Sequence, residues 1–377
     1  MNITDIEAIP IEIPLPDAFY PSWIPGFPQM HNRFTLVKIK TNEGIEGIAA
    51  GVAFMNEGAG VANVIKPFLF GRDPFNVEEI VKILRNATYL GYRMWYLEIA
   101  LWDIMGKACN QPVYKLLGGY QKKIKTYCST GECRDAKTRV QDVLKIKEMG
   151  FKAVKLRFKS EDPFKDIETL AAVREAVGPD FDIMVDANQA WPVHGLGAYT
   201  PWNVTIAVQM LKEMEKYNVR WVEEPLYKND YEGLQELRRK TNIPIAGGEQ
   251  NQDLHEFRDL VEKRCYDILQ PDATLSGGIL NSRKVATLCE AHNLQMNPHT
   301  WTNGIGFAAN LHVMAAIPNC TYCEFPYEPP GWIPEVREGV LKEVFMPDAN
   351  GYITVSDKPG LGIELDEEKV EKYRVKT

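Results

Sequence analysis

The sequence has no excess of basic residues and no apolar stretch of the length that crosses a membrane. Its 51 acidic and 43 basic residues give a formal net charge of −8. This balance disfavours nucleic acid and anionic membranes as partners, because both are bound through basic surfaces. The segment Met1–Asp5 also lacks the basic and apolar parts of a secretory signal. We therefore expect no nucleic-acid partner and no membrane association.

Cysteine is scarce, and its seven residues are scattered and odd in number. Such a set is typical of a reducing compartment, so we expect a cytoplasmic protein. Cys320 and Cys323 form a CxxC motif, but no second pair of ligands accompanies them. Buried thiols on a strand are therefore favoured over a zinc site.

Residues 1–120 have the pattern of a separate α+β domain. Ile3–Pro14 and Phe34–Lys40 are predicted strands, and the pattern is helical over Asn56–Gly119. The prolines and the glycine between the two strands predict an irregular loop over Asp17–Arg33 that is rich in aromatic residues. We favour a lid over a site for this loop, with a flap packed on a neighbour as the alternative.

From residue 121 to 339 predicted strands and amphipathic helices alternate, as in a parallel α/β barrel. The predicted strands are 124–130, 152–158, 181–187, 219–225, 243–248, 266–271, 294–298 and 319–325. The predicted helices are Ala136–Met149, Pro163–Val177, Trp202–Tyr217, Tyr231–Lys240, His255–Lys263, Gly277–His292 and Gly304–Ala316. An open doubly wound sheet is the alternative, but no glycine-rich phosphate loop follows a predicted strand. Residues 340–377 are expected to return to the first domain.

Three acidic residues, Asp186, Glu223 and Glu249, each close one of three consecutive predicted strands. The carboxyl ends of parallel barrel strands share one face, so these carboxylates are expected to converge. Their repulsion requires a cation, and oxygen ligands suit a hard ion such as Mg²⁺. The alternative is that each residue caps the helix that follows. Glu224 directly follows Glu223, so strand alternation should turn one of the two away from the ion.

Polar residues at the ends of other predicted strands flank this acidic centre. Lys155 and Arg157 are two positions apart, so both point to the same side of a strand, into the barrel mouth. Asp272 and His299 end two later strands, and Glu324 lies on the last one. Cations on one flank and a carboxylate–imidazole pair on the other indicate an acid–base site around a metal.

Taken in order, these motifs resemble the enolase superfamily, mandelate racemase subgroup, over almost the whole chain. The resemblance rests on residues 100–107, residues 116–119, Lys155-x-Arg157, Asp186-x-Asn188, Glu223-Glu224-Pro225, Gly248-Glu249, Pro271-Asp272-Ala273, His299 and Glu324. It implies a modified TIM barrel, (β/α)7β, with an N-terminal α+β capping domain that the C-terminal tail completes. It also implies Mg²⁺ bound by Asp186, Glu223 and Glu249, removal of a proton α to a carboxylate, and a homo-oligomer.

Within this resemblance His299 is the candidate base, and Asp272 would hold its far ring nitrogen and raise its basicity. Glu324, if protonated, could donate a hydrogen bond to the substrate carboxylate. Racemases of the subgroup have a second lysine where this chain has Arg157. Arginine stays protonated, so it is a poor base and a good carboxylate clamp, although Arg157 could also simply neutralise the carboxylates. Lys155 would help to bind the substrate carboxylate and neutralise the intermediate.

A single base favours dehydration of a hydroxy acid or sugar acid to a 2-keto-3-deoxy acid, because His299 can remove the α-proton and then assist departure of the β-hydroxyl. The alternatives are a racemase, epimerase or other isomerase of an α-substituted carboxylic acid, and a non-catalytic ligand-binding protein. The expected partner is a small-molecule carboxylate, with Asn188, Trp23 and His31 as candidate contacts and His194 as a further one. The aromatic lid suits a less polar acid than a polyhydroxylated one.

Overall fold

Two sheets organise the chain, a small antiparallel sheet and a large, mostly parallel one. The computed structural model describes residues 1–52, 60–91, 93–193 and 196–376, so Asn56 and His194 lie outside the described residues. Its strands are β1 (Ile3–Phe19), β2 (Gln29–Thr41), β3 (Glu46–Val52), β4 (Lys123–Ser129), β5 (Ala153–Arg157), β6 (Asp182–Asp186), β7 (Val219–Glu223), β8 (Ile245–Gly247), β9 (Ile268–Leu269), β10 (Gln295–Met296), β11 (Cys323–Pro326) and β12 (Tyr352–Thr354). Its α-helices are α1 (Lys66–Leu69), α2 (Val77–Ala87), α3 (Leu97–Ala108), α4 (Val113–Leu116), α5 (Ala136–Glu148), α6 (Pro163–Val177), α7 (Val204–Met214), α8 (Tyr231–Lys240), α9 (Asp253–Glu262), α10 (Gly278–Ala291), α11 (Gly304–Ala316), α12 (Pro334–Arg337) and α13 (Glu367–Tyr373).

The small sheet has the order β1–β2–β3, which leaves β1 at an edge. An edge strand tolerates residues that lack an N–H, and this explains how β1 includes the prolines between residues 10 and 16. The irregular loop predicted over Asp17–Arg33 was therefore too long at both ends, because β1 continues to Phe19 and β2 begins at Gln29. The loop that remains, residues 20–28, is called the lid below.

The large sheet has the order β10–β9–β8–β7–β6–β5–β4–β11 with parallel neighbours, and β12 joins β4 in antiparallel pairing. One helix, from α5 to α11, follows each strand from β4 to β10. The sheet curls until β10 approaches β11, where the N–H of Met296 donates to the carbonyl of Asn319 at 3.0 Å. Beside it, Asn297 Oδ1 accepts the N–H groups of Thr321 (2.9 Å) and Tyr322 (3.3 Å). The predicted fold, an α/β barrel-like sheet with a small antiparallel N-terminal sheet, is confirmed.

Residues 340–377 contact both sheets. β12 pairs with β4 of the large sheet, whereas the N–H of Val375 donates to the carbonyl of Pro10 on the outer edge of β1 at 2.9 Å. Lys38 on β2 forms an ion pair of 2.7 Å with Glu367 of α13. The first and last parts of the chain therefore lie side by side on the small sheet.

Apolar and aromatic side chains fill the inside of the large sheet. The members of this interior layer are Tyr127, Ala153, Met184, Trp221, Ala246, Ile268 and Tyr322. Side chains alternate along a strand, so residues two positions further on point the same way, toward the barrel mouth. Cys320 and Cys323 are buried free thiols, as predicted. Among the described residues, no helix combines the length and the apolar character needed to cross a membrane.

Candidate active site at the barrel mouth

The polar residues of the site occupy the next inward positions after the interior layer. Lys155, Asp186, Glu223 and Glu324 each lie two residues beyond a member of that layer. In the sheet, Arg157 is aligned with Asp186, which is aligned in turn with Glu223. All five side chains are buried. Strand alternation and parallel register therefore bring these five side chains to one place.

Lys155 lies at the centre of the buried charges. Its Nζ is 2.8 Å from Glu223 Oε1, 2.8 Å from Glu324 Oε1 and 3.6 Å from Asp186 Oδ2. Burial alone would lower the pKa of Lys155, but these carboxylates raise it. Lys155 is therefore held as a cation and is suited to neutralise charge rather than to accept a proton.

Glu324 is held as an anion in this arrangement. Burial alone would raise its pKa, but the cations Lys155 and His299 lower it. Its Oε2 also accepts the backbone N–H of Thr300 at 2.8 Å. The role of hydrogen-bond donor, which requires a protonated Glu324, is therefore not the one that these contacts favour.

The guanidinium of Arg157 donates hydrogen bonds to four groups, one of which is Asn188 Oδ1 at 3.4 Å from Nη1. Nη1 donates to Asp186 Oδ2, Nη2 donates to Ser129 Oγ at 3.1 Å, and Nε donates to the carbonyl of Thr130. Burial would lower its pKa, but the nearby carboxylates, Asp186 first, raise it. Arg157 is therefore a permanent cation in the position where the resembled racemases have a lysine.

His299 follows β10, which four strands separate from β5 in the sheet. Its Nδ1 is 2.9 Å from Asp272 Oδ2, and its Nε2 is 3.1 Å from Glu249 Oε2. Burial alone would lower the pKa of His299, but the surrounding carboxylates, Glu249 first, raise it to about 10. A cation bound by Glu249 would offset part of that attraction and bring the pKa of His299 back toward neutrality.

Asp186, Glu223 and Glu249 are the candidate metal ligands. The first two are aligned on β6 and β7, and Glu249 follows β8, where Gly248 supplies a left-handed turn (φ +116°). In the described ranges, no three carboxylate, imidazole or thiol groups surround a common point, because each of these carboxylates contacts a cationic or imidazole side chain. Their oxygen donors and their three neighbouring strands fit Mg²⁺. That they converge on one ion remains a prediction.

Burial and mutual repulsion raise the pKa values of two carboxyl groups at the mouth, Glu223 and Glu224. Burial, reinforced by the neighbouring carboxylates, raises the pKa of Glu223 to about 7 despite its contact with Lys155. Burial and the charge of Glu249 hold the pKa of Glu224 well above its ordinary value. Glu224 Oε2 is buried and has no hydrogen-bond partner in the described part of the chain. A divalent cation at this position would relieve the repulsion.

The candidate metal ligands do not cap the helices that follow their strands. Helices α5, α6, α7, α8 and α11 have side-chain caps from Asp135, Asp162, Asn203, Asp230 and Asn303. Helix α9, which follows Glu249, has Gln252 at its N-cap position and no side-chain cap. The alternative interpretation as N-caps is therefore wrong for Asp186, Glu223 and Glu249.

Two of the predicted substrate contacts, Asn188 after β6 and Trp23 of the lid, lie at the mouth. Ser22 Oγ donates to Asn188 Oδ1 at 2.7 Å, and the N–H of Asn188 donates to Asp186 Oδ1 at 2.8 Å. The ring of Trp23 lies 5.2 Å from Arg157 Cζ. The structure does not bring the third, His31, to this group of residues. His31 lies on β2 with its Nε2 3.4 Å from a carboxylate of the neighbouring strand.

Three further residues at the mouth were not predicted. Trp191 Nε1 donates to Glu249 Oε1 at 3.1 Å, and Trp301 lies 5.1 Å from the guanidinium of Arg157. Lys159 is buried and donates to a backbone carbonyl, and burial lowers its pKa to about 8. The two-residue spacing from Lys155 through Arg157 to Lys159 was a signal that could have identified Lys159, whereas nothing local distinguishes the tryptophans.

Comparison with known families agrees with this geometry. Residues 138–369 match the enolase C-terminal domain-like family, and residues 25–118 match the mandelate racemase / muconate lactonizing enzyme N-terminal domain. A curled (β/α) sheet with acidic residues on three neighbouring strand ends and an Asp–His pair thus defines an enolase-type enzyme.

The chain is similar to dehydratases and to a cycloisomerase that act on sugar acids or their lactones. Arabinonate dehydratase of Saccharolobus solfataricus is 31% identical over 373 residues, covering 94% of both chains. D-galactarolactone cycloisomerase of Agrobacterium fabrum is 32% identical over 358 residues, covering 90% of this chain and 91% of the other. The structure of L-talarate dehydratase from Polaromonas sp. JS666, complexed with Mg and L-glucarate, superposes with a TM-score of 0.85 at 27% identity, covering 100% and 98% of the two chains. The chain belongs to the mandelate racemase / muconate lactonizing enzyme family of the enolase superfamily.

Proposed function

We propose that this protein catalyses the Mg²⁺-dependent dehydration of a hydroxy acid or sugar acid to a 2-keto-3-deoxy acid. The observation that carries the proposal is the imidazole of His299, held by Asp272 at 2.9 Å, together with a fixed cation at Arg157. One group that first accepts and then returns a proton is sufficient for β-elimination. Dehydratases among the relatives support the same reaction class.

The roles of the residues follow from their charges. Lys155 and Arg157 attract the substrate carboxylate, and Nε2 of His299 takes the proton from the α-carbon. The electrons of the broken C–H bond form an enediolate, and the His299 imidazolium then gives its proton to the β-hydroxyl, which leaves as water. The resulting enol becomes the 2-keto acid by tautomerisation. When bound by its carboxylate ligands, Mg²⁺ supplies the positive charge that stabilises the enediolate.

The proposed metal ligands are Asp186, Glu223 and Glu249, because they present hard oxygen donors on three neighbouring strands. Asn188 and Trp23 are proposed substrate contacts, because both lie where the lid meets the mouth. His31 stays a weaker candidate, since its described contact is with β1 instead.

Isomerisation through the same enediolate is the second candidate, and the D-galactarolactone cycloisomerase relative favours it. If the group that leaves the β-carbon is a ring oxygen, it remains attached to the rest of the molecule. The product is then an isomer of the substrate instead of a dehydrated acid. The same base, His299, is sufficient for this reaction. Racemisation is less compatible with the site. It needs a second base on the opposite face of the α-carbon, and Arg157 stands where the resembled racemases have a lysine.

Incubation with a panel of carboxylic acids and Mg²⁺ in deuterated water, followed by NMR, tests the proposal. Formation of a keto acid with loss of water supports dehydration. Label at the α-carbon without loss of water supports an isomerase. If every acid stays unlabelled and unchanged, the result supports a non-catalytic ligand-binding protein. A parallel incubation with excess EDTA is the control, and activity that survives it would contradict the metal requirement.

We further propose a cytoplasmic homo-oligomer in which residues 1–120 and 340–377 form the capping domain and residues 121–339 form the barrel. The two family matches, 25–118 and 138–369, support a boundary near residue 120, and the contacts of Val375 and Glu367 with the small sheet support the return of the tail to it. Seven free thiols support a reducing compartment. Light scattering coupled to size-exclusion chromatography measures the oligomeric state directly, and a monomer at working concentration would contradict that part.

A further inference from the structure

The lid is fastened to the barrel by three hydrogen bonds at one end. The N–H of Tyr20 donates to Glu132 Oε1 at 2.8 Å, and the N–H of Ser22 donates to the carbonyl of Gly131 at 2.9 Å. The hydroxyl of Ser22 donates to the side chain of Asn188 at 2.7 Å. These bonds fix the residue that follows, Trp23, against the mouth.

Trp23 lies beside a second tryptophan, Trp301, and both rings are close to the guanidinium of Arg157. The rings of Trp23 and Trp301 lie 5.2 and 5.1 Å from Arg157 Cζ, and their centroids are 5.0 Å apart. Trp301 lies only two residues after the proposed base, His299. One indole therefore comes from the lid and the other from the loop that carries the base.

An aromatic wall continues behind these two rings. Phe19 stacks on Trp301 at 5.7 Å, and Trp332 stacks on the same ring at 5.8 Å. Trp23 and Trp301 are both only partly buried, so each keeps an open part of its surface. The indole N–H of Trp301 is buried and has no acceptor among the residues that the structure describes. A ligand oxygen could accept that hydrogen bond.

Polar groups that could serve a chain of hydroxyls are nearly absent from the lid. Residues 20–28, Tyr-Pro-Ser-Trp-Ile-Pro-Gly-Phe-Pro, contain no charged, amide or imidazole side chain. The hydroxyl of Ser22 is already bonded to Asn188. Hydroxyl groups of an open-chain polyol would lose water under this lid without gaining partners from it, which opposes binding. A ring presents a continuous C–H or π face, which packs well on indole.

We infer that the substrate is an acid whose part beyond the reacting carbons is a ring, packed against Trp23 and Trp301 while its carboxylate faces Arg157. This inference rests on the proposed function, because it places the reacting carbons beside His299. Trp23 is then a specificity-determining residue, because its indole contacts the ring of the substrate.

Matched pairs of acids test the inference. Each pair has one open-chain sugar acid and one lactone or anhydro-ring acid of the same configuration, and a final pair compares a phenyl-substituted 2-hydroxy acid with its straight-chain counterpart. Calorimetry with Mg²⁺ present measures binding, and NMR in deuterated water measures exchange at the α-carbon. We expect the ring member to bind about tenfold more tightly or better. The sugar and phenyl pairs show which kind of ring is preferred.

The variant Trp23→Leu should remove this preference, because leucine keeps apolar volume but lacks the flat face. The matched control is Phe27→Leu in the same lid, whose ring is 46% exposed and should leave both affinities unchanged. Equal or tighter binding of the open-chain acids, or an equal loss for both members in Trp23→Leu, overturns the inference and leaves the proposed reaction intact. Absence of exchange with every acid overturns the proposed reaction, while calorimetry still decides the ring preference.

Discussion

The mouth has a proposed base side, formed by Asp272 and His299, and a proposed metal side, formed by Asp186, Glu223 and Glu249. The two sides differ in how far contacts within the protein balance their charges. On the base side, Asp272 Oδ1 accepts the N–H and the hydroxyl of Thr274, both at 2.7 Å, and the amide of Asn310 at 2.9 Å. Its other oxygen holds His299 at 2.9 Å. On the proposed metal side, Glu223 contacts Lys155 at 2.8 Å, yet burial and the neighbouring carboxylates still raise its pKa to about 7.

Under the proposed roles, the two sides differ in what they need from a ligand. The base side is organised by neutral and charged hydrogen bonds within the protein, which place His299 before any ligand arrives. The metal side holds Glu223 with a pKa of about 7 and Glu224 with a pKa well above its ordinary value, both chiefly through burial. Added positive charge would lower both pKa values and favour the ionised form of these carboxyl groups at neutral pH.

Substitution of His299 should separate the two sides most clearly. The change His299→Asn removes the base and leaves the candidate metal ligands, so exchange at the α-carbon should fall by about 10⁴-fold. Mg²⁺ at a hundredfold excess over its Kd should still raise the free energy of unfolding by about 2.7 kcal/mol. NMR exchange and thermal unfolding with and without Mg²⁺ measure the two effects.

The matched variant on the other side is Glu223→Gln, which should lose the stabilisation by Mg²⁺. Undiminished exchange in His299→Asn would show that another group is the base. Loss of the Mg²⁺ effect in His299→Asn would show that the two sides do not act separately.

Lys159 is a buried cation that differs from Lys155 and Arg157. Among the described residues, it forms no ion pair with a carboxylate. Burial lowers its pKa from 10.5 to about 8. Between these values the unfolded chain binds more protons than the folded one, so the cost of Lys159 is complete below pH 8 and disappears as pH rises toward 10.5. Lys159→Met should therefore stabilise the protein at pH 7 by up to about 3 kcal/mol.

Denaturant unfolding at pH 7 and pH 10 measures this effect, and the advantage of Lys159→Met should shrink at the higher pH. Lys137→Met, at an exposed position on α5, is the control and should change stability little at either pH. A constant difference between pH 7 and pH 10 would mean that Lys159 stabilises or destabilises through packing and not through its charge.

The smallest of the three effects concerns Asp272. Asp272→Asn keeps the shape of the side chain but removes the charge that supports protonated His299, so kcat/KM should fall about 10- to 100-fold. The pH at which the base becomes active should also move to a lower value. A pH–rate profile measures both changes.

Asp182→Asn is the control for Asp272→Asn, because Asp182 bonds Lys125 and Tyr322 at the start of β6, away from the mouth. It should leave the profile of kcat/KM unchanged. If Asp272→Asn had the wild-type profile, the base side would not depend on this carboxylate.

Much of the site could be predicted because two regular features set it. Strand alternation selects the inward residues and parallel register aligns their ends, so Lys155, Asp186 and Glu223 could be grouped from spacing alone. Glu224 was harder. Alternation predicts that it turns away from Glu223, but its φ of +48° is left-handed and departs from strand geometry.

Features that depend on distant parts of the chain could not be predicted. The extension of β1 to Phe19 and the start of β2 at Gln29 depend on pairing between the two strands, so the predicted limits of the loop were too wide. The approach of Trp23 to Trp301 joins residues far apart in sequence, and neither has a local signal. His31 was assigned to the mouth with the loop, and it lies on β2 because that loop is shorter.

The bond between Val375 and Pro10 has a consequence for biosynthesis. During translation the outer margin of β1 is made first and its partner hundreds of residues later, so the backbone groups at that margin stay unshielded while the barrel is assembled. Closing so long a loop is also slow, because its entropy is lost before the contact is gained. The nascent protein therefore depends on a segment translated hundreds of residues later to cover the outer edge of β1.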